Sequence, residues 1–301
     1  MVRARGSGLY AAQRLPIAPS LLELLACPAC HGPLRAGDPW ACGDCPASYP
    51  IRDGFANLVT AEHAAPGAQE SGWQRWSEAM TGLRAWRDRR RSTAKNGQLR
   101  SDGVEETARR SLVERAGHRG VVVDVGAFDG GKHVFTAADA RYVGVDPMPA
   151  AAALPERACV VRGFAEALPV ATGVADTILS FAAFDYYVDG AGALREMARV
   201  LKPGGALAMI VSVVAPEVAR ARGGASRAGR LWGALAASRA VGPAGAVALA
   251  HEALTSPARA HTHYYTRDQV LGLVGEVFTV EPVAETAQAT STIVYLVGRR
   301  R

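Results

Sequence analysis

The sequence has no run of about 18 uncharged apolar residues, the length a helix needs to cross the hydrocarbon of a bilayer. Its longest apolar stretch, LWGALAASRAVGPAGAVALA, is mostly Ala and Gly and contains Arg239 and Pro243. A membrane protein is therefore not expected. The beginning, MVRARGSGLYAAQRLPIAPS, is basic but lacks a continuous apolar core of the export type. Residues 1–19 read as a disordered leader, and the expected location is the cytoplasm. Cysteine is scarce, five residues in 301, which excludes a disulfide-dense secreted scaffold. The G-x-G-x-x-G spacing of dinucleotide-binding loops is also missing. After the apolar run VVVDVG the glycines are Gly126, Gly130 and Gly131, with Phe128 where such loops often carry their middle glycine.

What is present is an ordinary globular composition, 49% hydrophobic and 21% charged, long enough for one large domain and something smaller. The net charge of +6 is uneven. Segment 20–60 has Arg35 and Arg52 against Glu23, Asp38, Asp44 and Asp53, a net −2. Segment 84–115 carries ten basic and five acidic residues, +5, and segment 215–260 six Arg and two Glu, +4. Such patches can attract phosphate, although a solvated face is the more common meaning of a charge run.

Four of the five cysteines, Cys27, Cys30, Cys42 and Cys45, form two C-x2-C pairs in CPACHGPLRAGDPWACGDC. Each pair presents two thiolates from one tight turn, and a short hairpin can bring the pairs together. Four sulfurs around one zinc ion leave no open coordination position, so the expected role is structural. Two disulfides or a redox pair are the alternatives. His31 would be a fifth ligand and reads as a bystander. With its flanks, LLELLACPACHGPL and SYPIRDGFANLV, the stretch resembles the Trm112-like zinc-ribbon family over about 40 residues. Members stand alone as methyltransferase activators or are fused in front of a methyltransferase domain.

From Val121 onward, short apolar runs alternate with amphipathic ones, the pattern of a parallel sheet flanked by helices. Strands are expected at VVVDVGA, RYVGVDP, ACVVRG, DTILSFA and ALAMIVSVV, and a helix at AGALREMARVL ending at KPGG. FTVEPVAE and STIVYLVGRR read as a terminal antiparallel hairpin. The series VVDVGAFDGG, YVGVDPM, GFAEALPVATGVADTILS and ARVLKPGGALAMIVS resembles the class I S-adenosylmethionine-dependent methyltransferases over about 90 residues. SGWQRW resembles the stretch that leads into a helical cap in fused members.

The resemblance implies an α/β fold, a Rossmann-like class I methyltransferase sheet with parallel strands and a terminal antiparallel hairpin, behind a small N-terminal zinc ribbon. The implied division is 1–19 leader, 20–60 Trm112-like ribbon, 61–118 linker and helical cap, and 119–301 methyltransferase domain with a helical lid insertion near 215–262. The implied cofactor is S-adenosylmethionine. Asp124 would orient the turn, and Gly126, Ala127 and Gly130 would let the backbone approach the methionine end. Asp146 would take the ribose hydroxyls. Ala165 would offer a backbone N–H to adenine, and Ser180 and Phe181 would line the site. Phe164 stands where the family often has an acidic residue and could stack on adenine instead. Phe128 is expected to demand ordinary backbone angles and to crowd the cofactor.

The acceptor side is expected beyond the carboxyl ends of the strands. Asp185, Tyr186 and Tyr187 follow the fourth strand, and HTHYYTRDQV supplies His261 and His263 just before a helix capped by Thr266. A neutral imidazole can accept a hydroxyl proton at neutral pH; aromatic lid packing is the alternative. H-x-H alone lacks a third ligand, so no catalytic metal is expected. Trp73, Trp76 and Trp86 with Arg87–Arg91 could form another wall. The expected reaction is methyl transfer to oxygen or nitrogen of a small-molecule acceptor such as a specialised metabolite. The alternatives are an RNA methyltransferase and a non-catalytic binding or activating protein of the same fold. Nothing in the sequence fixes the oligomeric state.

Overall fold

The computed structural model describes residues 17–64, 103–150, 152–223, 226–255 and 263–301. The leader up to residue 16, Trp73, Trp76, Trp86, Arg87–Arg91 and His261 lie outside the described residues, as does most of the expected cap. Among the described residues no helix is long and apolar enough to cross a membrane.

The described chain begins at Ile17, which is buried, and turns through a short helix, Pro19–Leu22. Three short antiparallel strands follow, β1 (Leu34–Arg35), β2 (Trp40–Cys42) and β3 (Ser48–Tyr49), then the hairpin β4 (Ile51–Arg52) and β5 (Phe55–Ala56).

The main sheet has seven strands: β6 (Val121–Val125), β7 (Arg141–Asp146), β8 (Ala158–Arg162), β9 (Ala175–Phe181), β10 (Leu201–Val213), β11 (Phe278–Ala287) and β12 (Thr292–Arg300). Their order is β11-β12-β10-β9-β6-β7-β8. The inner pairs are parallel, and β12 runs antiparallel to both β10 and β11. All five expected strands and the terminal hairpin are present. β6 is buried along its whole length, as an inner parallel strand must be when both faces are covered. Val121, Val123 and Val125 pack on one face, and Val122 on the other with Leu112 and Val113 of the helix Gly103–Ala116.

The first face holds the helix Gly190–Val200, whose Ala193, Leu194, Met197 and Val200 form one apolar stripe, and whose Asp189 side chain caps the Gly192 N–H at 2.9 Å. The cysteine-bearing segment covers the same face. Its Leu21, Leu24, Leu25, Trp40, Tyr49 and Leu58 share one core with the strands of the sheet. Backbone bonds from Ala26 N to Pro169 O (3.2 Å) and Ala171 N to Leu24 O (2.9 Å) stitch the two together. Asn57 pairs in parallel with Arg162 at the end of β8, and Arg162 meets Asp53 at 3.1 Å. The segment therefore extends the sheet's open edge, which would otherwise present unpaired backbone groups.

One expectation needs correction. The helix stops at Val200, but KPGG belongs to β10, where the register slips between Leu201 and Ala206 and Gly204 has a φ of +75°. Residues 202–205 lie opposite Asp176 alone, so Pro203 and Gly204 turn the chain within the span of the strand rather than before it. Between β6 and β7 the chain makes a single 3-10 segment, Gly131–Phe135.

After β10 the chain folds into three helices, Pro216–Arg222, Arg227–Ala236 and Ser238–Thr255, the last kinked at Gly242 before Pro243. They enclose a small core of Val214, Val218, Ala221, Ala234, Ala237 and Leu249.

Candidate active site

The turn after β6 is built by glycines. Gly126 and Gly130 have φ of +83° and +75°, which glycine adopts without strain. A Cβ on Gly126 would lie 2.4 Å from Cβ of Ala183, and one on Gly130 would lie 2.9 Å from Val160. Phe128 does not keep ordinary angles. Its φ is +55°, the left-handed conformation of the glycine it replaces, and its side chain is 43% exposed. A bulky residue there is strained by about 1–3 kcal/mol. Its backbone N–H donates to Asp146 Oδ2 at 2.8 Å, while the Met148 N–H donates to Oδ1 at 2.7 Å. Asp146, at the carboxyl end of β7, thus ties the glycine turn to its neighbouring strand. A carboxylate only accepts and has about four lone-pair positions, so one group can hold several donors at once.

Beneath the turn lies Asp124, fully buried. Lys132 Nζ lies 3.0 Å and 3.2 Å from its two oxygens and donates to the Gly126 carbonyl at 2.9 Å. The Tyr142 hydroxyl donates to the same carboxylate. Burial, with the Asp124 charge, pushes the Tyr142 hydroxyl well above its ordinary pKa, so it remains a donor. The sequence reading assigned no role to Lys132, although it lies in the quoted loop. A lysine six residues after Gly126 carries no local signature of the buried carboxylate that it neutralises.

Ala127 and Ala165 are buried, and so are Ser180 and Phe181 at the carboxyl end of β9. The Ser180 hydroxyl meets the Tyr187 hydroxyl at 3.1 Å, and Tyr187 donates to the Val125 carbonyl at 3.1 Å, bracing β6 against β9. Phe164 stacks on His63, with ring centroids 5.1 Å apart. His63 lies just beyond the ribbon, and its Nδ1 meets the Thr60 hydroxyl at 2.7 Å. Burial lowers the imidazole's pKa.

After β9, Asp185 is buried and Tyr186 half-buried, in a 3-10 turn, Phe184–Tyr186. His263 donates its backbone N–H to the Asp185 carbonyl at 3.0 Å, and its Nε2 lies 3.2 Å from the Val188 carbonyl. A carbonyl only accepts, so Nε2 carries the proton and Nδ1 is the acceptor nitrogen. Tyr265 lies between His263 and Phe184, at 5.3 and 5.1 Å. Burial and the charges of Asp185, Asp189 and Glu166 push the Tyr265 hydroxyl up to about 12. Glu166 accepts from the Val188 and Asp189 N–H groups at 2.9 and 3.2 Å, and burial raises its carboxyl to about 7. Thr266 caps the following helix, as its sequence suggests, with a reciprocal bond to Gln269.

Away from this face, the four cysteine sulfurs converge, all within 4.8 Å of one another. Cys27 and Cys45 are 3.7 Å apart, and Cys30 and Cys42 are 3.5 Å apart. Tetrahedral Zn–S bonds of about 2.3 Å put neighbouring sulfurs a little under 4 Å apart. The Tyr49 hydroxyl lies 3.0 Å from Cys27 Sγ, and the Asp44 N–H donates to Cys42 Sγ at 3.3 Å. Such second contacts orient and stabilise thiolates. None of the cysteines is in a disulfide. His31 lies on the far side of its turn, 3.9 Å from Glu196.

In sequence, residues 123–209 match the family model of a methyltransferase domain. The chain carries a methyltransferase domain. The match runs from inside β6 into β10 and includes the glycine turn, Asp146 and the end of β9, so the expectation of a methyltransferase enzyme on a Rossmann-like sheet is borne out. No curated protein matches the chain in sequence. Among solved structures, YcgJ of Bacillus subtilis is 14% identical over 65% of this chain and 99% of its own, with a TM-score of 0.46. The N-methyltransferase NodS of Bradyrhizobium japonicum, in complex with S-adenosylhomocysteine, is 17% identical over 74% and 98%, at 0.43. A Haloferax volcanii complex containing the Trm112 methyltransferase activator is 16% identical over 74% and 97%, at 0.45. At these identities and scores the likenesses bear on neither cofactor nor acceptor.

Proposed function

We propose that the methyltransferase domain transfers the methyl group of S-adenosylmethionine to an oxygen or nitrogen of a small molecule. The observation that carries this reading is the pairing of two features at adjacent strand ends. A glycine turn with left-handed Gly126 and Gly130 follows β6, and a carboxylate, Asp146, follows β7 with two backbone N–H groups already on it. Backbone without Cβ atoms suits the methionine end of the cofactor, and a carboxylate at the end of β7 suits the ribose hydroxyls. Ala165, Ser180 and Phe181 lie at the ends of the next strands, and the Phe164–His63 pair offers an aromatic wall for adenine.

The cofactor supplies an electrophilic methyl on sulfur, and transfer is an in-line displacement in which the protein mainly holds nucleophile and methyl in line. The acceptor's lone pair forms the new bond to the methyl carbon as the carbon–sulfur bond breaks. A hydroxyl acceptor must also lose a proton. His263 fits that role through Nδ1, held by its Nε2 bond to Val188, with Asp185 and Tyr186 beside it and His261 as the other candidate.

We read residues 20–60 as a Trm112-like ribbon holding one structural zinc ion on Cys27, Cys30, Cys42 and Cys45. Four sulfurs at tetrahedral spacing, with N–H and O–H donors on two of them, suit that ion. The ribbon's role would be to complete the sheet edge at β8 and to position His63.

The test is a labelled-methyl transfer assay with pooled small molecules and, separately, pooled RNA. Label in the small-molecule fraction, lost in Gly126→Val, is the expected result. Label confined to RNA would reassign the acceptor, and cofactor binding with no transfer to either pool would favour a binding protein.

A further inference from the structure

Arg230, in the helix Arg227–Ala236, is 8% exposed. Among the described residues it has no ion pair, and its hydrogen bond runs from Nη2 to the Ala253 carbonyl at 3.0 Å. Its Nη1, with two N–H groups, is buried without a partner. Nearby, Arg222 reaches the preceding residue of the same helix, Glu252, at 2.9 Å, and also bonds Thr290 at 2.9 Å, yet its Nε is buried and unpartnered. Two guanidinium groups thus converge on residues 252–253 against one carboxylate. Among the described residues, that leaves one buried guanidinium without a carboxylate.

A buried, uncompensated cation is strongly destabilising, and charged side chains are almost never fully buried unless paired. The partial negative charge at the end of the helix Ser238–Thr255 offsets part of that cost, but it leaves the Nη1 donors open. Guanidinium forks match the paired oxygens of phosphate and carboxylate.

The location favours a ligand of the enzyme. Arg222 lies over the Tyr264 ring at 5.8 Å, and the adjoining Tyr265 packs on Phe184 and His263 at the strand ends. Arg222 thus touches the residue that precedes Tyr265 in the chain, and Arg230 bonds the residue after Arg222's partner Glu252. We infer that Arg230, with Arg222, binds an anionic group, a phosphate or carboxylate, carried by the methyl acceptor. Assigning the anion to the acceptor rests on the methyl-transfer reading; the anion site itself does not.

The experiment uses the full chain without cofactor, so a failure of the methyl-transfer reading leaves it interpretable. Calorimetry and thermal denaturation would follow titration with pyrophosphate and, separately, malonate, against sodium chloride at matched ionic strength. Parent protein should bind one of the two saturably and gain in Tm. Arg230→Met should bind it at least tenfold more weakly, Arg230→Lys should fall between, and Arg220→Met, at an exposed arginine, should match the parent. Without anion, Arg230→Met should be at least as stable as the parent, because an unpaired buried charge has gone. A purely structural arginine gives the reverse, a variant destabilised by the same amount with and without anion. That result, or no saturable binding of either anion to the parent, would overturn the inference, and the second outcome is readable even if the Met variant fails to fold.

Discussion

Phe164, at the end of β8, and His63, just beyond the ribbon, stack at 5.1 Å although about a hundred residues separate them in sequence. The contact joins the cysteine-bearing segment to the wall where adenine is proposed to lie. Burial lowers the His63 pKa below its unfolded value, so the stacked, neutral ring contributes stability above pH about 6.5 that is lost as pH falls below it. His63→Phe should keep the stack and flatten this part of the pH dependence. His63→Ala should lower stability by about 0.5–1.5 kcal/mol at pH 8. Urea denaturation of the three proteins between pH 5 and 8 measures both effects.

The cysteine cluster predicts about one zinc per chain in freshly reduced protein. Its removal should loosen more than the ribbon itself, because Leu21, Leu24 and Leu58 share a core with the main sheet. Cys42→Ser should lose metal and lower the cooperativity of unfolding of the whole chain. Metal analysis with no zinc, or an unchanged melting curve in the variant, would contradict this.

Lys132 neutralises the buried Asp124 and holds the Gly126 carbonyl. Lys132→Met leaves a buried carboxylate with the Tyr142 hydroxyl but no cation, and should cost about 3–5 kcal/mol of stability. Tyr142→Phe removes one charge-assisted bond and should cost about 1.5–3 kcal/mol. Chemical denaturation gives both values, and near-parental stability in Lys132→Met would contradict the pairing.

Glu166 titrates near 7 rather than 4.5 because it is buried, despite two N–H bonds to its carboxylate. The folded state therefore holds a proton that the unfolded state has released, and this group's contribution falls as pH rises from about 4.5 through 7. Glu166→Gln can still accept from Val188 and Asp189 but has no such titration. Relative to the parent it should gain about 1–3 kcal/mol between pH 5 and pH 8. A constant difference across that range would contradict the shift.

The strands were legible because each is a short, nearly continuous apolar run bounded by turn residues, and inner parallel strands leave no other option. The convergence of the four cysteines was legible from their spacing. Phe128 was misjudged because a residue type gives a preference for backbone angles, and here the Asp146 bond and the tight Gly126–Gly130 turn override it. His63 against Phe164, Lys132 against Asp124, and Arg230 against Ala253 are meetings between distant or buried groups. Such pairs have no period or spacing that a linear reading can detect.

The central claim is that the turn after β6 and Asp146 bind S-adenosylmethionine. Calorimetric titration of parent and Asp146→Ala with the cofactor tests it most directly, with circular dichroism to show that the variant remains folded. Saturable binding to the parent is predicted, with affinity at least tenfold weaker in Asp146→Ala, because charge-assisted ribose bonds and the tether to Phe128 are lost together. Equal affinity in the two proteins, or no binding to a folded, zinc-loaded parent, would contradict the account.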